Sequence, residues 1–294
     1  MNSLNIFFKN SKAFSQLVGL FFLFLICSLI EGGLQLLFPE ADGSDASIRL
    51  QIVQKALAQL LTFFLPACLF VLLYQEQPRH YLCLRFGGRY WLLALIAMVI
   101  MLLSIPLIDF LTSWNETWNL GALTRHARAL SESAKQQVAL MLSLATIPDL
   151  MLQLLVVALV PAVCEEFFFR GCLQQILHRW FGNAHASVLV TALIFSLAHL
   201  DLYGFVPRLL MGALLGYLFH YSGSLLVNVG AHFFNNALIV VLYHLYHRGV
   251  LNAPPDHLMP LPWTLIVFCA VGALLLFVVY FAKNAEQKPR ADRF

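Results

Sequence analysis

The chain has 294 residues, of which 60% are hydrophobic and 11% charged, with a mean hydropathy of +0.78 and a formal net charge of +3. Soluble domains carry about 25% charged residues, so a soluble globular fold is excluded and an all-α, polytopic bundle of membrane helices is expected, with the lipid bilayer as surroundings. A small net charge with dispersed Lys and Arg argues against a nucleic-acid partner.

At about 20 residues per span, eight apolar segments can be placed: 14–37, 52–74, 90–112, 148–170, 186–203, 205–221, 225–246 and 261–282. The first follows Lys9 and Lys12, is long and lacks a small-residue cleavage site, which marks it as a span and not a removed signal peptide. Pro66 and Pro161 fall inside the second and fourth, where neighbouring helices can satisfy the freed backbone groups. Between spans three and four, the Leu123 to Leu144 stretch reads as a partly amphipathic helix, a plain linker or one lying on the membrane surface or capping the bundle. Asn115-Glu116-Thr117 beside it fits a glycosylation acceptor. No linker, repeat or low-complexity tract divides the chain, so residues 1–294 are expected to form one integral-membrane domain.

Eight spans put the N-terminus, the loops after spans two, four and six, and the C-terminus on one side, with Lys9, Lys12, Arg79, Arg85, Arg89, Arg179, Lys283, Lys288, Arg290 and Arg293. The other side has Arg49, Arg125, Arg128, Lys135, Arg208 and Arg248 together with Glu40, Asp42, Asp45, Glu116, Glu132, Asp201 and Asp256. The bias of basic residues favours both termini in the cytoplasm. Cys27, Cys68, Cys83, Cys164, Cys172 and Cys269 form no C-x-x-C pair and read as small core residues. His178, His185, His220, His244, His247 and His257 fall at segment ends or in loops and read as solvated.

The fourth span runs into Pro161-Ala-Val-Cys-Glu165-Glu166-Phe-Phe-Phe-Arg170-Gly171 after fifteen residues without an ionised group. Charges within a span are costly and mark a functional site by default, although a helix end in the headgroup region is the plainer alternative. On a helix Glu166 and Arg170 share a face at i,i+4, while Glu165 is turned about 100° away. Glu166 can therefore be neutralised locally, and Glu165 looks elsewhere.

Two further spans hold polar groups, Phe195-Ser-Leu-Ala-His199 near the end of span five and His232-Phe-Phe-Asn-Asn236 in span seven. Glu165 lies seventeen residues before Gly182 and His199 seventeen after it, so an antiparallel hairpin turning at Gly182-Asn183 sets them level, about 25 Å from the turn. His232 and Asn236 come about 12 and 18 Å from the Gly223-Ser224 turn by the same rise. Four polar groups can then converge inside the membrane.

A carboxylate in apolar surroundings is suited to take a proton from water near neutral pH, which makes Glu165 the candidate general base. His199 could share in positioning the water, and His232 and Asn236 offer N–H donors to an oxyanion developing on an attacked carbonyl. No Ser stands in a G-x-S-x-G setting, and Cys164 and Cys172 have no base partner at helical spacing, which disfavours a covalent intermediate. Glu165, His199 and His232 could equally hold a single divalent metal such as zinc with an open fourth position, although no H-E-x-x-H pair is present. Hydrolysis without a cofactor and hydrolysis with a metal both stay open.

Taken in order, Glu165-Glu166-x-x-x-Arg170, Phe195-x-x-x-His199 and His232-x-x-x-Asn236 resemble the three motifs of the CPBP family of intramembrane proteases, also called Abi or Ras-converting-type CAAX prenyl proteases, over about 150–245. Gly212 to Gly223 also looks like the family's approach to its third motif. The resemblance implies an eight-helix bundle with a conical cavity and an active site of Glu165, His199, His232 and Asn236, with Glu166 and Arg170 beside it. It implies an endopeptidase acting on a membrane-associated protein or peptide, and, with the compact loops, a bacterial inner membrane. Two other readings use the same residues: a non-catalytic binding or immunity protein that employs the cavity, and a proton-coupled transporter. No broken-helix pair or internal symmetry supports the transporter.

Overall fold

The structure is a computed structural model that describes residues 9, 11–38, 43–255 and 261–282. The described residues are all-helical apart from turns and loops. Seven helices are long and apolar enough to cross a bilayer: α1 (Ala13–Gln35), α2 (Asp45–Tyr74), α3 (Gly88–Glu116), α5 (Ile147–Phe181), α7 (Leu202–Ser222), α8 (Leu225–His247) and α9 (Trp263–Phe281). Between them lie the amphipathic α4 (Thr124–Met141) and the short apolar α6 (Ala184–Leu197). The chain is a multi-pass integral membrane protein. Lys283, Lys288, Arg290, Arg293, Glu40, Asp42, Asp256 and His257 lie outside the described residues.

The fifth expected span, 186–203, is not of spanning length. Helix α6 has 14 residues, about 21 Å, against a hydrocarbon core of about 30 Å. Apolar content alone suggested a longer segment, but polar groups fold the chain back after Leu197. Asn115 is fully buried, donates through Nδ2 to the Leu202 carbonyl at 3.1 Å and accepts from the Val206 amide at 2.9 Å. Asp201 accepts from the Tyr203 amide and pairs with Arg208, and Leu200 takes a positive φ of 54°. This clamp also corrects the glycosylation reading: the Asn115 amide is enclosed, with both ends occupied.

Helix α5 runs 35 residues, beyond the apolar segment 148–170 and up to the turn expected at Gly182-Asn183. Glu165, Glu166 and Arg170 find partners within the protein, so they do not end the helix. It ends at Gly182, whose φ of +63° lets its N–H reach the His178 carbonyl at 2.9 Å. Asn183 then caps α6 by accepting from the Ala186 amide. Helix α5 is the axis of the bundle: from Cys164 to Leu177 every residue except Phe167 is buried. It packs on α8, α2, α1, α6 and α7, while α3 gathers α7, α8 and α9 into a second apolar core.

Helices α2 and α5 each widen by one residue just before a proline ring. The Leu65 N–H reaches Leu60 O ahead of Pro66, and the Val160 N–H reaches Leu155 O ahead of Pro161. Each helix absorbs a missing backbone donor in an i→i+5 turn and continues, the local adjustment that membrane helices allow.

Hydrogen bonds fix which ends lie together. Arg179 at the end of α5 donates to Gln16 of α1 and to Tyr81 in the α2–α3 connection. In the α7–α8 turn, Ser224 donates to Arg85 O, and Phe277 of α9 packs on Tyr217 and Tyr221 of α7. The start of α1 and the end of α9 therefore share the end that carries Arg79, Arg85 and Arg179, and α6 with α7 forms a hairpin rising from it and returning. At the other end Arg49 makes a two-point ion pair with the buried Asp149 at 2.7 and 3.2 Å, tying the start of α2 to that of α5. Helix α4 packs there too: Lys135 pairs with Glu116 at 2.6 Å and Arg128 lies over the Tyr203 ring. Cys27, Cys83, Cys164 and Cys172 are buried and all six cysteines are free thiols. His244 is buried as well, contrary to its reading as solvated.

Close approach of α6 and α7 depends on small residues. A Cβ on Gly212 would stand 3.1 Å from the Ala192 Cα, and one on Gly216 2.9 Å from a Val188 methyl. Gly212→Val should therefore lose about 1–3 kcal/mol by overpacking, read as a lower unfolding midpoint in detergent or lipid discs. An unchanged midpoint would contradict this packing.

Candidate functional site

Glu165 and Glu166 sit at mid-height on α5, between the widened turn at Leu154–Leu159 and a second one at Phe169–Gln174. Consecutive positions on a helix must face different neighbours, and the two carboxylates do. Glu166 is fully enclosed and every bond it makes is to a fixed group. Its Oε1 accepts from Arg170 Nη1 at 2.8 Å and from His232 Nδ1 at 2.9 Å, and its Oε2 accepts from Asn228 Nδ2 at 3.2 Å. Arg170 is also fully buried, donates through Nη2 to the Gly212 carbonyl at 2.8 Å and stacks its guanidinium over the Phe195 ring at 4.9 Å. The i,i+4 pairing expected from the sequence is present at 0% exposure on both sides.

Glu165 remains 6% exposed and less constrained. Its Oε1 accepts from Gln59 Nε2 of α2 at 3.2 Å, and its Oε2 lies 3.9 Å from His232 Nε2. His232 thus stands between the two glutamates. Because a carboxylate only accepts, Nδ1 must carry the proton in the bond to Glu166, and the other ring nitrogen is aimed at Glu165. Holding an imidazole through one nitrogen so that the other can act is the usual use of such a carboxylate.

The remaining expected residues are placed differently. His199 is not inside a span but in the turn just after α6, and it is exposed. Its Nδ1 donates to the Phe195 carbonyl at 2.8 Å, leaving Nε2 as the open nitrogen. The Phe195 ring joins the group, with His199 at 4.9 Å and His232 at 6.3 Å between ring centroids and Arg170 over its face. Asn236 lies one turn beyond His232; its Oδ1 accepts from Asn235 at 3.4 Å, and among the described residues no hydrogen bond ties it to Glu165, His199 or His232. Among the described residues, no three His, Cys, Asp or Glu side chains stand close enough to hold a metal ion together. Glu165 and His232 supply two donors of the right kind, with His199 outside hydrogen-bond reach of either.

Sequence reading missed Asn228 and Gln59. Asn228 was legible, since it precedes His232 by four residues and continues the stripe through Asn236; it bridges Glu166 to the Leu215 carbonyl at 2.6 Å. Gln59 announced itself only as an amide in an apolar span, and its partner lies 106 residues away. Gln174 repeats the logic of Arg170 one turn on, donating to Gly216 O at 3.0 Å as Arg170 does to Gly212 O. The two glycines that admit α6 thus also bare the carbonyls that α5 binds.

Breaking a buried ion pair from one side leaves an uncompensated charge, whereas removing both partners can be nearly neutral. Arg170→Met should cost about 3–5 kcal/mol by this principle. Combining it with Glu166→Leu should restore much of that loss in a thermal or denaturant titration. Equal stability of all three proteins would contradict the pairing.

The segment that builds this site, residues 147–238, matches the family model described as Type II CAAX prenyl endopeptidase Rce1-like. Neither the curated proteins nor the solved structures contain a significant match to the chain. The matched segment runs from the start of α5 into α8 and includes Glu165, Glu166, Arg170, His199, His232 and Asn236. Residues 147–238 are thus directly matched by a CAAX prenyl endopeptidase Rce1-like domain model, of the family also called CPBP or Abi.

Proposed function

We propose that the protein is an intramembrane endopeptidase that hydrolyses a peptide bond in a membrane-associated protein or peptide, with Glu165 as the base. The observation that carries this reading is the unequal treatment of the two adjacent carboxylates. Glu166 is saturated by Arg170, His232 and Asn228, whereas Glu165 keeps an oxygen facing His232 Nε2 across 3.9 Å. That gap is too wide for a direct hydrogen bond, so both groups can address one small molecule.

In the proposed reaction Glu165 takes a proton from water as the oxygen attacks the carbonyl carbon, forming the C–O bond and a tetrahedral oxyanion. In its protonated form His232 donates Nε2–H to that oxyanion, while Glu166 holds Nδ1 and offsets the charge. His199 Nε2, left open by the Nδ1 bond to Phe195 O, accepts from the water, and the Asn236 amide supplies a second donor to the oxyanion. As the C–N bond breaks, the proton on Glu165 passes to the leaving amine. No step requires a metal.

The whole chain is read as one membrane domain, because α1 and α2 close on α5. We place its basic end, with the start of α1 and the end of α9, in the cytoplasm, and the membrane as a bacterial inner membrane.

Membranes carrying the native protein, compared with membranes carrying Glu165→Gln at equal abundance, should show new protein termini that are absent from the variant in a terminal-peptide survey by mass spectrometry. Unchanged unfolding of Glu165→Gln would locate the loss in chemistry. Identical termini in the two samples would contradict the reading and favour a binding protein. Phe195→Leu removes the ring shared by Arg170, His199 and His232, and should slow the appearance of those termini at least tenfold while the protein still assembles; full activity would contradict the ring's part in the site.

A further inference from the structure

We propose that Gln59 is a positioning residue for Glu165, contributed by the N-terminal half of the chain, which lies outside residues 147–238. The proposal rests on the reading of Glu165 as the base. Gln59 is the last residue of the regular part of α2 before the helix widens at Leu60–Phe64. The widening shifts the register of everything after Gln59 relative to everything before it. Its Nε2 donates to Glu165 Oε1 at 3.2 Å, and its Oε1 is buried with no hydrogen-bond partner among the described residues.

That half-satisfied amide argues against a role in stability alone. An unpaired buried polar atom costs free energy that a leucine in the same apolar span would not. The amide's single bond goes to the residue read as the base, and to the oxygen that faces away from His232. Glu165 is held at Oε1 by α2 while Oε2 points to His232. A base acts well only when the oxygen that takes the proton is directed at the water. Gln59 supplies that direction by fixing the other one.

The test uses the full chain in lipid discs. Infrared difference spectra, native minus Glu165→Gln, isolate the carboxyl bands of Glu165. The same difference recorded in a Gln59→Leu background reports that carboxyl without its amide neighbour. The expected result is a displacement of the Glu165 bands between the two backgrounds, with the native-only termini appearing about tenfold more slowly in Gln59→Leu membranes. Gln59→Met, which also removes the donor, should behave the same way and serves if the leucine variant fails to assemble. Unmoved bands overturn the proposal whatever happens to cleavage. Displaced bands with unaltered cleavage overturn the positioning role while leaving the reading of Glu165 intact. Retained cleavage in Glu165→Gln overturns that reading, and the role of Gln59 falls with it.

Discussion

The structure depends on one enclosed ion pair, Glu166 with Arg170, and on how its remaining hydrogen-bonding capacity is spent. Two charges taken out of water are tolerated only when their other lone pairs and protons are met. Here three different helices meet most of them, Asn228 and His232 from α8 on the carboxylate, the Gly212 carbonyl of α7 and the Phe195 ring of α6 on the guanidinium, with Arg170 Nε left without a hydrogen-bond partner among the described residues. The pair therefore organises the bundle around α5 and fixes one ring nitrogen of His232. Stability and site geometry arise from the same bonds.

The backbone is arranged to permit this. Glycines at 212 and 216 bring α7 against α6 and expose carbonyls to the Arg170 and Gln174 side chains. Widened turns carry α2 and α5 past Pro66 and Pro161 without breaking them. On both helices a residue of the candidate site lies within a few positions of such a turn: Gln59 just before one, and Glu165 between two. At the far end, Asn115, Asp201 and Arg208 hold the turn that carries His199, so α3 and the loop before α7 set where this imidazole stands.

Much of the fold could be read from hydropathy, because a bilayer demands long apolar helices and the chain obeys. The departures occur where polar contacts override that signal. The run from 186 to 203 is apolar enough to suggest a span, yet Asn115, more than eighty residues away, binds the backbone at Leu202 and Val206. Helix α5 runs past its apolar segment to the turn expected at Gly182, because Arg170 is paired inside the protein and not anchored at the surface. At the site, helical spacing revealed the Glu166–Arg170 pair and the different outlook of Glu165, since both follow from 3.6 residues per turn. That His232 binds Glu166 through Nδ1 depends on the relative rotation of α5 and α8, which no local pattern encodes. The same holds for Gln59, whose partner is fixed by the crossing of α2 and α5.

The central claim is a division of labour in which Glu166 holds His232 by Nδ1 and Glu165 faces its Nε2. Nitrogen-15 NMR of the protein labelled at histidine, with the His232 resonances assigned by substitution, tests it directly. The account predicts a protonated Nδ1 in the native protein and in Glu165→Gln, lost in Glu166→Leu. A bare Nδ1 in the native protein, or one indifferent to Glu166, would contradict it.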